Sequence, residues 1–210
     1  MQSGGRTAKP AAGAVKPEAR KRTRARRGST RTIGASDLRA LRGYQRTGVL
    51  SKRELLRGRQ VPGLERLKQG PCVTIECIEN IPCNPCAYAC PRKAITIEGG
   101  LTELPRVDFE KCNGCTLCVA RCPGLAIFVV DYGYSESRAA VTLPYEMLPR
   151  PVKGQRVAAL DRQGRRVCAA TVVRVIDTKA TDRCAVVTIT VPRRHWNTVR
   201  SIRVGGGRLR

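Results

Sequence analysis

The sequence predicts an α+β protein: a compact cysteine-rich segment, then a small antiparallel β domain, all preceded by a disordered basic tail. Three observations carry this expectation. The 210 residues divide by charge: residues 1–70 hold 19 basic and 4 acidic side chains, 71–140 hold 6 and 8, and 141–210 hold 15 and 4. Nine of the 11 cysteines lie in the middle stretch, the only one that is not basic. The last third consists of Val-, Ile- and Thr-rich runs split by polar turns, with no helical spacing. A chain of this length holds one or two compact domains. The expected divisions are a tail over 1–35, short helices over 36–70, a cysteine-rich domain over 71–140 and a β-rich domain over 145–204.

Composition excludes several classes. The longest apolar run, Leu125-Ala-Ile-Phe-Val-Val130, has six residues, against the roughly 20 that a membrane-spanning helix needs. No apolar stretch follows the basic start, so neither a secretory nor a twin-arginine signal is expected, and the expected location is cytoplasmic. Residues 1–35 carry too few apolar side chains to offset the entropy of ordering. Their run Arg20-Lys-Arg-Thr-Arg-Ala-Arg-Arg27 reads as a solvated tail in preference to a nucleic-acid arm, because no aromatic residue is interleaved for base stacking. A mitochondrial transit peptide shares this Arg-rich, acid-poor composition.

From Ser36 the pattern turns helical. Ser36 can cap a short helix carrying Leu38 and Leu41, and Ser51-Lys-Arg-Glu54 is a capping box before Leu55. Val61-Pro62-Gly63 ends that second helix. Both are too short to stand alone and are expected to drape over the next domain. Strands are expected over Val152–Leu160, Arg165–Ile176 and Ala185–Val191, with Cys168 and Cys184 as buried small hydrophobes instead of ligands or a disulfide.

The middle segment repeats itself at an offset of 32 residues: Cys83, Cys86, Cys90, Pro91, Ala94 and Ile95 recur as Cys115, Cys118, Cys122, Pro123, Ala126 and Ile127. The second copy opens with Cys112, giving Cys-x2-Cys-x2-Cys-x3-Cys-Pro. That spacing is the bacterial run for [4Fe–4S] clusters, in which the fourth cysteine ligates the other cluster. Zinc knuckles pair separate Cys-x2-Cys motifs and do not overlap three of them, so zinc and a disulfide framework are the lesser alternatives. The fourth cysteine is expected at the start of a helix, with the proline after it in the first turn.

Asn80 stands where the first copy should carry its opening cysteine. Asn is a poor ligand for soft iron–sulfur units. Cys72 and Cys77 lie just upstream; Cys77 can bulge back to the open iron, whereas Cys72 precedes the first strand and would have to reach across it. The expected ligand sets are therefore Cys77, Cys83, Cys86 and Cys122 for one cluster, and Cys90, Cys112, Cys115 and Cys118 for the other. A three-iron cluster lacking a fourth ligand is the alternative for the first set.

At these residues the segment 73–130 resembles the two-cluster bacterial ferredoxins. That resemblance implies a ferredoxin-like fold with strands at Val73–Ile75, Ala94–Ile97, Val107–Phe109 and Ala126–Val130. The wider stretch 40–200, through Ile75-Glu-Cys-Ile-Glu-Asn-Ile-Pro-Cys-Asn-Pro-Cys86 and the basic β-rich tail, is similar to iron–sulfur subunits of FAD-dependent amino-acid dehydrogenases of the proline-, hydroxyproline- or opine-oxidising kind. It implies an electron-transfer subunit beside a flavoprotein. A flavin collects two electrons as hydride, and one-electron clusters pass them on singly.

No catalytic set is apparent in the chain. No Gly-x-Gly-x-x-Gly follows a strand, and Gly205-Gly-Gly207 lies in a basic tail. The single histidine, His195, has no neighbour at ligand spacing and reads as a surface or half-buried residue beside Trp196. Eight thiolates and two oxidised cubes would add about −4 to the middle segment, leaving an acidic core between basic arms suited to an acidic partner. A basic nucleic-acid-binding iron–sulfur protein and a free-standing ferredoxin are the competing readings. The β-rich region is expected to serve as a docking module, with a protective lid as the alternative, and in neither role is it expected to help ligate iron.

Overall fold

The computed structural model describes residues 43–57, 60–78 and 80–205. The basic tail over 1–35 and the helix expected after Ser36 lie outside the described residues. The elements are α1 (Gly43–Thr47), α2 (Lys52–Arg57), α3 (Leu64–Lys68), β1 (Cys72–Ile75), α4 (Pro85–Tyr88), β2 (Ile95–Thr96), β3 (Arg106–Val107), β4 (Ile127–Asp131), β5 (Arg138–Tyr145), β6 (Arg156–Leu160), β7 (Arg166–Ile176), β8 (Ala185–Pro192) and β9 (Ser201–Arg203).

The capping box forms at α2: Ser51 N–H donates to Glu54 Oε2 at 2.8 Å and Glu54 N–H donates to Ser51 Oγ at 3.3 Å. α3 sets Leu67 against Cys72 and Val130 in a small core that Trp196 also covers. Trp196 in turn meets Tyr132 edge-on at 6.4 Å, a geometry favoured by the ring quadrupoles.

The strands form one seven-stranded antiparallel sheet in the order β1-β4-β5-β8-β7-β6-β9, with β2 and β3 as a separate ribbon. The expected division between 140 and 145 therefore falls inside β5. This strand pairs with β4 on one side and β8 on the other, so the cysteine-rich segment and the β-rich segment share a sheet. Pro144 and the polar residues ahead of β5 concealed this strand in the sequence. Proline is tolerated there because β4 pairs only with residues 140–142, leaving Pro144 on a locally open edge.

Side-chain alternation along β4 joins the two segments. Ile127 and Val129 face a core with Val73, Ile75, Ile95 and Val119, while Phe128 enters a second core with Val141, Leu143, Val172, Val187 and Ile202. Residues from β4 to β9 all converge on that second core. The sheet is therefore curled around it, bringing the ends of its two edge strands together.

Candidate metal centres

The 32-residue repeat reappears in the backbone. Cys90 C=O accepts Lys93 N–H and Cys122 C=O accepts Leu125 N–H, both at 3.1 Å. Lys93 and Leu125 then turn left-handed, with φ of 50° and 51°. The next amides fold back on the sulfurs: Ala94 N–H donates to Cys90 Sγ at 3.2 Å and Ala126 N–H to Cys122 Sγ at 3.4 Å. Pro91 and Pro123 therefore occupy the second position of a turn, which suits their fixed φ. This corrects the expectation that they open a helix. The proline that opens one is Pro85 at the start of α4, after Asn84.

Two cavities collect eight cysteines. One is lined by Cys77, Cys83, Cys86 and Cys122, walled by Ile75, Ile81 and Ile127. The other is lined by Cys90, Cys112, Cys115 and Cys118, walled by Val73, Ile95 and Val129. Each set of four thus takes one cysteine from the opposite half of the repeat. No three His, Cys, Asp or Glu side chains among the described residues close on one point, as a mononuclear metal site demands. Four thiols around an apolar void are instead a donor set for a multi-iron cluster, so the residues present fit that group.

Local backbone shapes the second cavity. Gly114 has φ +68°, and a Cβ there would lie 2.6 Å from Pro71 Cβ and 2.9 Å from the Pro71 carbonyl oxygen. Only glycine combines that conformation with that approach. Arg66 on α3 fixes the same loop from outside, its Nη2 donating to Cys112 C=O at 2.6 Å and its Nε to Phe109 C=O at 2.9 Å. Val73 N–H donates to Cys112 Sγ at 3.4 Å.

Burial pushes the Cys86 thiol up to about 11 and the Cys118 thiol up to about 12, helped in both cases by neighbouring cysteines. Bound iron, which takes thiolate, would supply the drive for their deprotonation. Cys112 is drawn down to about 6, first by a hydrogen bond from the Cys72 thiol. Cys72 itself is fully buried, lines neither cavity, and is pushed well up by that bond and by burial. Cys168 and Cys184 sit in the β-rich region, away from both cavities; Cys184 is buried and Cys168 packs on the second core. His195 is half-buried, its Nε2 accepting from Arg194 Nε at 3.1 Å.

A polar network that the sequence did not reveal centres on Glu76, which stands between Ile75 and Cys77 of the first cavity. Arg162 binds its carboxylate with two nitrogens, Nε at 2.8 Å and Nη2 at 2.6 Å, and Arg200 Nε approaches at 2.5 Å. Asn197 Oδ1 accepts from Nη2 of both arginines, at 3.3 and 2.7 Å. The Arg200 guanidinium lies over the Phe128 ring, 5.0 Å from its centroid. Burial would raise the Glu76 carboxyl, but the hydrogen bonds and charges of the arginines outweigh it and hold it below the usual carboxylate range. Burial likewise lowers Arg200, to about 10, against the pull of Glu76. The partners are 86 and 124 residues apart, so no local pattern could have paired them.

Comparison with known proteins agrees with this geometry. The 4Fe-4S dicluster domain family matches residues 76–126. The chain is 40% identical over 68 residues to the "Ferredoxin-type protein NapF" of Haemophilus influenzae; the match covers 31% of this chain and 36% of that relative. The chain thus spans about a third of the length of the curated relative it matches. No solved structure matches it. The chain carries a ferredoxin-type domain for two [4Fe–4S] clusters. No described helix is long and apolar enough to cross a membrane.

Proposed function

We propose that this chain is an electron-transfer subunit that carries single electrons between a partner flavin dehydrogenase, acting on an amino acid, and an acceptor. The observation that carries the electron-transfer reading is the pair of cavities, each lined by four cysteines with one contributed across the repeat. In this reading Cys77, Cys83, Cys86 and Cys122 ligate one cluster, and Cys90, Cys112, Cys115 and Cys118 the other. Bound clusters supply reversible one-electron chemistry. The chain's own residues hold thiolates in place, aim Val73, Ala94 and Ala126 amides at sulfurs, and exclude water with Ile75, Ile95, Ile127 and Val129.

Support for a flavoprotein partner comes from the resemblance at residues 75–86 and from the surface of the β-rich region. A groove of about 310 Å³ across β6, β7 and β9 has Arg156, Arg166 and Arg203 around an alanine floor, with no carboxylate in its lining. None of the three arginines forms an ion pair with a described carboxylate. An acidic protein surface complements it, with charge steering the encounter.

Anaerobic purification of the full chain from its own cells tests this reading. A stoichiometric partner that releases FAD on denaturation, and whose amino-acid substrate bleaches the clusters, is the expected outcome. Salt-sensitive retention of nucleic acid without any flavin protein would overturn it in favour of a nucleic-acid-binding role.

A further inference from the structure

The two halves of the repeat differ in how their first ligand is held. Cys112 belongs to a tight Cys-x2-Cys loop, takes an amide bond from Val73 and has its carbonyl gripped by Arg66. Cys77 lies in a different sequence pattern: Asn80 stands where the tight loop would carry its cysteine, and five residues separate Cys77 from Cys83. A ligand at the end of a strand, leading into a long connection, is placed by whatever fixes the end of that strand.

Glu76 supplies the attachment point. Its N–H donates to Ala126 C=O at 2.8 Å, fixing the backbone to the residue before β4. Its carboxylate turns the other way into the half-buried guanidinium of Arg162, from the β6–β7 turn, and the buried one of Arg200, just ahead of β9. Arg200 is itself fixed, donating from Nη1 to Trp196 C=O at 3.0 Å and Val199 C=O at 2.7 Å. The peptide entering Cys77 is thereby held between β4 and the C-terminal strands. Arginine suits this task because its planar fork binds a carboxylate with two parallel bonds, setting direction as well as distance.

We propose that Glu76, Arg162 and Arg200 form a clamp that positions Cys77 as the outlying ligand of the first cluster. The C-terminal strands are then part of the metal centre's support, beyond any docking role. This inference rests on the ligand assignment proposed above. The three are positioning residues, acting on iron only through Cys77.

Glu76→Gln keeps the side-chain shape while removing the charge that binds both arginines. Arg162→Met opens the bidentate half and leaves the Arg200–Glu76 pair in place. Each full-length variant, purified anaerobically beside wild type and Cys77→Ala, is read by iron content and by electron paramagnetic resonance. The expected result is loss of about one iron in eight, with an oxidised three-iron signal like that of Cys77→Ala. Arg138→Met is the control: Arg138 Nη2 holds Thr190 C=O at 2.6 Å in the same sheet but lines neither cavity. It should lower thermal stability without that signal. Full iron and no three-iron signal in both clamp variants, with Cys77→Ala still showing it, would overturn the clamp and leave the ligand assignment standing. Full iron in Cys77→Ala would overturn the assignment and the clamp together. If one clamp variant does not fold, the other decides.

Discussion

Lys93 and Leu125 occupy the same left-handed conformation, with φ of 50° and 51°, at positions exactly one repeat of 32 residues apart. Each closes a Cys-Pro turn and delivers the following amide to the sulfur of Cys90 or Cys122. Left-handed backbone costs a residue with a Cβ about 1–2 kcal/mol, so the strain is tolerated where it aims an N–H at a ligand. Replacing Lys93 by Gly should raise, or leave unchanged, the temperature at which the clusters bleach. Lys93→Val should lower it, since a β-branched side chain resists positive φ. A fall with glycine as large as that with valine would show that the turn is not under strain.

Gly114 is the most exacting position of the second cavity. A Cβ there meets Pro71 backbone and ring at under 3.0 Å on an already left-handed residue. Gly114→Ala should therefore halve the iron, to about four atoms per chain, with the first cluster retained. Full iron content in this variant would mean that the Pro71 segment yields at little cost.

Cys72 stands against Cys112 without lining a cavity. Cys72→Ala should retain about eight irons per chain, and Cys72 is thereby distinguished from Cys77. Loss of a cluster from Cys72→Ala would transfer a ligand role to that residue.

The eight cysteines that line the two cavities could be picked out of the sequence because metal-binding cysteines recur at short spacings, and the repeat suggested that each set would take one from the opposite half. The strands at Val73–Ile75 and Ala185–Val191 were legible from their β-branched runs; they fall within the observed β1 and β8. β5 was not, because Pro144 and burial on both faces erase the alternation that marks a half-buried strand. The Glu76–Arg200 pair left no trace in the sequence, since a contact spanning 124 residues is fixed only once the sheet has curled.

That shared sheet alters what truncation should do. A chain ending at Pro144 loses β8, the full-length partner of β5, together with Arg162 and Arg200. It also uncovers Phe128, Val141 and Leu143, which are buried in the intact protein. Such a chain should aggregate or bleach rapidly even without oxygen, and not persist as a separate cluster domain. Recovery of a soluble, monomeric fragment with both clusters would show that the two segments fold independently.

The crossed ligand sets are tested most directly by iron content in two double variants. Cys83→Ala with Cys122→Ala removes two ligands assigned to one cluster, although they come from opposite halves of the repeat. Cys115→Ala with Cys122→Ala removes ligands assigned to different clusters, although both come from the same half. The account expects about four irons per chain from the first pair, with one cluster lost and the other intact, and about six from the second, with one iron missing from each cluster. About six irons from the first pair, with about four kept by the second, would contradict it.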